Sequence, residues 1–289
     1  MSNNTQIIPE RSRDIGNFLV GRLIPFRKKR MVGPFIFIDH MEPVEVKPGN
    51  YADIGQYPHI GLSTLTYLFE GEMMHRDSIG TIQRITASDV NFMTAGKGVV
   101  HTERTPEDMR DGKTYPMHGF QIWVALPKNL EEIEPTFQHI PKTQLPKWTK
   151  NNIDFTLVAG TAFGKTSPVK VHSHLFMLEL KNKEEAIFQS EESLKGEIGI
   201  CVVSGKIEAE GEIIEEGNML VSKKANWCSI KIHPNTHILI FGGEPLEEER
   251  FIHWNFVAST QAKIEKAKQR WQGDGFELIE GEGPKIPLP

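Results

Sequence analysis

Two segments hold residue types that bind transition metals: Tyr57-Pro58-His59-Ile60-Gly61 and, further along, Thr94-Ala95-Gly96-Lys97-Gly98-Val99-Val100-His101-Thr102-Glu103. In a β-strand the side chains at i and i+2 point to the same face. His101 and Glu103 therefore face one way together, while His59 arrives from a separate segment. Two imidazoles and one carboxylate on neighbouring strands form a facial triad, which holds Fe(II) and leaves coordination positions open for oxygen or substrate. Tyr57 and His59 flank a proline at i and i+2, so Tyr57 stands where one further ligand would fit.

Strands must position these residues, and the chain is rich in them. Phe35-Ile36-Phe37-Ile38, Ser63 to Phe69, Ile79 to Ile85, Val90-Asn91-Phe92-Met93 and Phe120 to Leu126 are β-branched and aromatic. Gly, Asp, Asn and Pro separate them, as in all-β sandwiches and barrels. Glu70-Gly71-Glu72 and Ile79-Gly80-Thr81 read as tight connections. The character changes over Pro127 to Lys150, where Pro127, Pro135, Pro141 and Pro146 stand among many charges. That composition predicts a linker laid over a surface, with its centre at 136–150. A second strand-rich block follows: Phe155 to Val158, Leu175 to Leu180, Gly199 to Val203, Met219 to Val221 and His237 to Phe241. The expected organisation is an N-terminal barrel over 1–135, the linker, and a C-terminal barrel with a helix and tail over 151–289. For the helix, Ser259 is the expected cap, Ile264, Ala267 and Trp271 the apolar stripe, and Gly273 the stop.

Composition narrows the function. With 289 residues, 38% hydrophobic and 25% charged, the chain can build real cores. A net charge of −5 argues against a nucleic-acid binder, which needs a basic face. The exception, Arg27-Lys28-Lys29-Arg30, directly precedes an apolar segment and reads as a solvated turn. Cys201 and Cys228 form no Cys-x-x-Cys pair and read as buried thiols in a reducing compartment. Met1 to Ser12 lacks the apolar core of a signal peptide, and no stretch approaches the ~20 apolar residues of a membrane helix. The expectation is a soluble, cytoplasmic protein that binds neither membrane nor nucleic acid directly.

The motifs also occur in a telling order. Pro58-His59-x-Gly61, Thr66-Tyr67-Leu68-Phe69-Glu70-Gly71, His75-Arg76-Asp77-Ser78-x-Gly80 and Met93 to Glu103 resemble the pirin family of the cupin superfamily. So do His118-Gly119-Phe120-Gln121-Ile122-Trp123-Val124, Phe241 to Leu246, Trp254-Asn255-Phe256-Val257 and Ile286-Pro287-Leu288-Pro289. The resemblance implies two tandem cupin, jelly-roll-like β-barrels with one metal site in the N-terminal barrel, typically for iron. By the family pattern His59, His101 and Glu103 match three ligands, and Tyr57 stands where the family has a histidine. Ser63 lies where the general cupin pattern has a glutamate.

Three roles stay open for Tyr57: a neutral phenol bonded to a metal-bound water, a phenolate ligand of Fe(III), or a space-filler beside a weak or empty site. A phenol of ordinary pKa ~10 is a poor ligand when neutral. His75 and Asp77 share a strand face and are further candidates, as metal ligands, as groups bordering the pocket or backing the ligands, or as a polar hairpin end. His118 and Gln121 are candidates to line the barrel, with His118 reading as a core histidine. His172-Ser173-His174 has no His-x-Glu after it and does not predict a second site. Gly96-Lys97-Gly98 lacks the spacing of a phosphate loop and reads as a turn.

The resemblance implies a Fe(II) or other divalent-metal dioxygenase of the quercetin 2,3-dioxygenase type, acting on a small aromatic substrate with Glu103 as catalytic base. The alternative is a non-enzymatic, redox-sensitive iron protein that regulates partner proteins by contact.

Overall fold

The computed structural model describes residues 5–15, 19–190, 193–223 and 229–289. Its strands fall into antiparallel sheets, and the chain divides into two compact units. The C-terminal barrel comprises Met1–Arg11, Gly21–Ile38 and Thr143–Leu246; the N-terminal barrel comprises Ser12–Val20, Asp39–Lys142 and Glu247–Pro289.

In the C-terminal barrel the large sheet orders Thr5–Pro9, Asn218–Ser222, Glu197–Ser204, His237–Gly243, Leu175–Asn182, Ile153–Ala162 and Lys147–Lys150. A small sheet orders Ala186–Gln189, Ser229–Ile232, Lys206–Ala209 and Glu212–Glu215. Alternate residues of both sheets, among them Phe176, Leu178, Phe188, Ile200, Ile207, Ile230 and Ile240, meet in one continuous apolar core. Cys201 is a buried free thiol; Cys228 lies outside the described residues. Arg27 and Lys28 form the expected exposed turn, closed by Phe26 and Lys29.

In the N-terminal barrel the large sheet orders Thr136–Ile140, Val90–Thr94, Leu62–Glu70 and Tyr115–Ala125, then the Phe35–Val46 strand. The small sheet orders Ile54–His59, Val99–Arg104, Glu72–Asp77 and Ile82–Thr86. Gly71, at φ 84°, lets the chain pass from Leu62–Glu70 to the other sheet. A Cβ there would lie 2.4 Å from the Pro116 carbonyl oxygen, so no other residue fits.

Three expectations are corrected. The stretch 136–150 is mostly strand, because Thr136–Ile140 pairs with Val90–Thr94 and Lys147–Lys150 pairs with Ile153–Ala162. Its prolines, Pro141 and Pro146, and Pro135 just before it sit outside the strands as punctuation, where a missing N–H costs no ladder bond. The helix Gln261–Gln272 and the tail belong to the N-terminal barrel: Ile264, Ala267 and Trp271 pack with Ile60 and Val100. Finally, Thr260 rather than Ser259 caps the helix, accepting from the Lys263 N–H at 3.3 Å. The Ser259 hydroxyl instead donates to Glu131 at 2.8 Å. Gly273 ends the helix as expected. No helix among the described residues is long and apolar enough to cross a membrane.

Candidate metal centre

Val99–Arg104 is the strand on which the site is built. Val99 and Val100 favour the extended chain, and the turn Gly96-Lys97-Gly98 delivers it, closed by the Gly98 N–H on the Ala95 carbonyl at 2.8 Å. On one side it pairs with Ile54–His59, setting His101 opposite Tyr57; a register shift follows between His101 and Glu103. On the other it pairs with Glu72–Asp77, setting His101 opposite Asp77 and Glu103 opposite His75. Directly paired residues share a face, so the ladder alone gathers Tyr57, His75, Asp77, His101 and Glu103. Pro58 is tolerated because Ile54–His59 lies at the sheet edge.

His101 is central. Its ring centroid lies 4.4 Å from that of Tyr57, 5.0 Å from His59 and 5.3 Å from His75. His75, His101 and Glu103 each offer one ligand atom, all within 4.8 Å of one another, and all three residues are buried. His59 stands outside that trio, although its side chain is fully buried beside His101 with Trp123 packed edge-on at 4.9 Å.

Both outer histidines are oriented from behind. His59 Nδ1 lies 3.0 Å from the Asn255 carbonyl oxygen, which can only accept, so Nδ1 carries the proton and Nε2 keeps its lone pair. His75 Nε2 lies 3.0 Å from Asp77 Oδ2 and donates to it, freeing Nδ1. Asp77 is itself held, since its Oδ1 accepts from the N–H groups of Ile79 (3.1 Å) and Thr81 (2.9 Å). A histidine backed by a carboxylate or carbonyl is the usual arrangement around bound metals.

The electrostatics suit ligation. Burial, opposed by the Asn255 carbonyl, pushes His59 down to about 4. Burial, then the charges of His59 and His75, holds His101 well below its ordinary value. These rings are therefore neutral at neutral pH, the form that binds a metal. Burial pushes Glu103 up, against the opposing influence of His75, Thr66, Tyr57 and Gln121. Burial, then the charge of Glu103 and a hydrogen bond to it, raises the Tyr57 phenol well above its ordinary value. Tyr57 is thus a neutral donor aimed at Glu103.

The residues fit a metal ion. His59 Nε2 and both ring nitrogens of His101 are buried without a protein partner. Each such group costs about 1–3 kcal/mol, and a cation at this point would take the lone pair of His59 Nε2 and that of one His101 nitrogen.

Other expected residues lie elsewhere. Ser63 hydrogen-bonds Thr94 at 3.0 Å. His118 Nε2 is 2.9 Å from His40 Nε2. Gln121 reaches the site through Thr66, whose hydroxyl donates to Gln121 Oε1 at 2.8 Å and lies 3.5 Å from Glu103 Oε1. His172 and His174 precede the Leu175–Asn182 strand and join no metal-ligating group among the described residues. The roles of Thr66, Trp123 and the Asn255 carbonyl left no signal in local spacing.

Comparison with known proteins agrees with this architecture. Residues 17–124 match the family model described as Pirin, and residues 175–277 match the Pirin C-terminal cupin domain. A pirin-like protein of Caulobacter vibrioides is 42% identical, over 98% of each chain. The crystal structure of quercetin 2,3-dioxygenase from Acinetobacter baumannii superposes with a TM-score of 0.91 at 35% identity, over 99% of this chain and 95% of that one. The bacterial pirin YhhW from Escherichia coli, solved in complex with nickel(II), shares the fold with a TM-score of 0.63 at 18% identity, over 84% of this chain and all of that one. A chain matched in both halves and along its whole length in this way belongs to the pirin family of bicupins.

Proposed function

We propose that the N-terminal barrel binds one Fe(II), or a similar divalent transition metal, and that the protein is an oxygenase of the quercetin 2,3-dioxygenase type. The observation that carries this reading is the buried His75, His101 and Glu103 group beside an oriented His59. The 35% identity to the Acinetobacter baumannii enzyme supports the substrate class, a small aromatic such as a flavonol. His59, His101 and Glu103 are the sequence-expected ligands. His59 offers its free Nε2, and His75, brought in by register, is the fourth ligand.

Iron bound there would supply Lewis acidity and the one-electron chemistry that dioxygen requires. The chain does the rest. The Asn255 carbonyl and Asp77 keep the His59 and His75 lone pairs turned inward. Glu103 accepts the proton of the substrate hydroxyl. Tyr57 donates to Glu103 and holds the carboxylate in place. Low exposure, from 0% at His59 and His101 to 5% at His75, keeps water away from the reacting atoms.

The same closure favours a second reading, a redox-sensitive iron protein that acts on partner proteins by contact. In either case we place the protein in the cytoplasm, in keeping with the buried free thiol of Cys201. Elemental analysis of untagged protein, followed by oxygen uptake with a panel of flavonols, tests both. Bound iron with flavonol-dependent uptake is the expected result. Bound iron without uptake leaves the regulatory reading, and absence of any metal overturns both.

A further inference from the structure

The outer face of the site sheet is covered by the last part of the chain. Along each strand the side chains alternate, so the residue beside each inward group points to the back. Arg104 follows Glu103, Arg76 lies between His75 and Asp77, and Gln56 precedes Tyr57. All three are held by the segment 279–286.

Glu282 is the centre of this contact. One carboxylate oxygen accepts from Arg104 Nη2 at 2.6 Å and Nε at 3.1 Å, the other from Arg76 Nη1 at 2.7 Å. The Glu282 side chain is only 6% exposed. Arg76 also donates to the Glu280 carbonyl at 3.3 Å. Gln56 is bound at three points: its Nε2 donates to the Gly283 carbonyl at 2.5 Å, its Oε1 accepts from the Ile279 N–H at 3.1 Å, and its carbonyl accepts from the Ile286 N–H at 2.9 Å. Apolar packing completes the contact, with Trp271, Phe276 and Ile279 against Val100.

We propose that Glu282 is a positioning residue for the metal centre, cross-tying from behind the two strands that present His75 and Glu103. Those strands are neighbours whose spacing and twist set the distance between the ligands. A carboxylate shared by one arginine from each strand, in a fixed hydrogen-bonding geometry, holds that spacing. The tail thereby acts on the ligands through the sheet, as groups behind a metal ligand commonly do.

The inference rests on the metal reading above, and the test separates the two. Apo-protein is titrated with Co(II) under anaerobic conditions, following the d–d absorption, and its melting temperature is measured in parallel. Glu282→Gln keeps the shape and removes the charge; it should weaken Co(II) binding by about 10-fold or more and change the band shape. Glu280→Gln, in an exposed residue that offers only its carbonyl, should change neither. If Glu282→Gln does not fold, Glu282→Asp, shorter by one methylene, should show the same loss in smaller measure. A lower melting temperature with unchanged Co(II) affinity and spectrum overturns the positioning role and leaves the tail merely structural. Failure of the wild-type protein to take up Co(II) overturns the metal reading and this inference with it.

Discussion

The two barrels share a plan, a large sheet facing a small four-stranded one, and differ in what the small sheet turns inward. In the C-terminal barrel the inward positions are Ala186, Phe188, Ile207, Ala209, Ile214, Ile230 and Ile232, all part of the apolar core. In the N-terminal barrel Met73, Ile85 and Val99 are apolar, but beside them are Tyr57, His59, His75, Asp77, His101 and Glu103. One face gains stability from every residue it buries. The other buries imidazoles and carboxylates, and its unpartnered nitrogens on His59 and His101 carry a cost that a ligand would reduce. The small sheet is thus a shared frame whose inner face differs between the two barrels.

The largest expected effect removes that difference. His101→Ala should abolish metal binding, while the double variant His172→Ala, His174→Ala should retain wild-type metal content, both read by elemental analysis. Metal loss in the double variant would place a ligand in the other barrel. Carboxylates give a second contrast. Glu103→Gln should lower flavonol turnover at least ~10²-fold, as for a lost general base, whereas Glu179→Gln in the C-terminal barrel should leave turnover unchanged; equal turnover in both would remove Glu103 from the chemistry.

Acid should separate the barrels next. His59 binds a proton near its ordinary value of ~6.5 when unfolded but only at about 4 when folded. Its contribution is therefore fully present above pH ~6.5 and is lost as pH falls toward 4. For Glu179, burial works upward, but the hydrogen bond from His237 and the charge of Lys181 outweigh it and bring the carboxyl down to about 2. Its contribution is present above the ordinary 4.5 and lost only as pH falls toward 2. In apo-protein, the amide protection factors of Val99–Arg104 should fall between pH 6.5 and 4, by at most roughly 10²-fold, before those of Leu175–Asn182 respond. Simultaneous loss would refute the separation.

Tyr57→His adds an imidazole to the inner face and should tighten Co(II) binding by roughly 10-fold; no gain would show that Tyr57 contributes as much through Glu103 as a further ligand would. The smallest effect is the most diagnostic of cost. His101→Leu makes the inner face resemble its counterpart and removes two unpartnered nitrogens, so the metal-free variant should be more stable by about 1 kcal/mol. Thermal unfolding that shows a loss would mean the His101 nitrogens are satisfied in the apo-protein.

The strands were readable in the sequence because β-branched and aromatic runs such as Val90 to Met93 and Phe35 to Ile38 are local signals. Where two signals competed, boundaries moved. Ile79 looks like strand, yet Ile79-Gly80-Thr81 is the turn clamped by Asp77, and the strand is Ile82–Thr86. His101 and Glu103 were legible from i, i+2 spacing alone. His75 was legible only as a further candidate, because its closeness to Glu103 depends on which residues pair across strands. The tail was harder still. Ile286 and Leu288 suggest docking, but no pattern reveals that Glu282 meets Arg76 and Arg104, far away in sequence.

The grouping of residues 247–289 with Asp39–Lys142 also bears on synthesis. A chain emerges from the ribosome N-terminus first, and domains tend to fold as they emerge. Here the order is inverted: every segment of the C-terminal barrel has been made by Leu246, while the N-terminal barrel still waits for its helix and tail. Until then the back of its candidate site sheet, including Val100 and Ile60, lacks its cover. The N-terminal barrel is thus the later of the two to be completed, and its candidate site gains its backing only once residues 247–289 have been made.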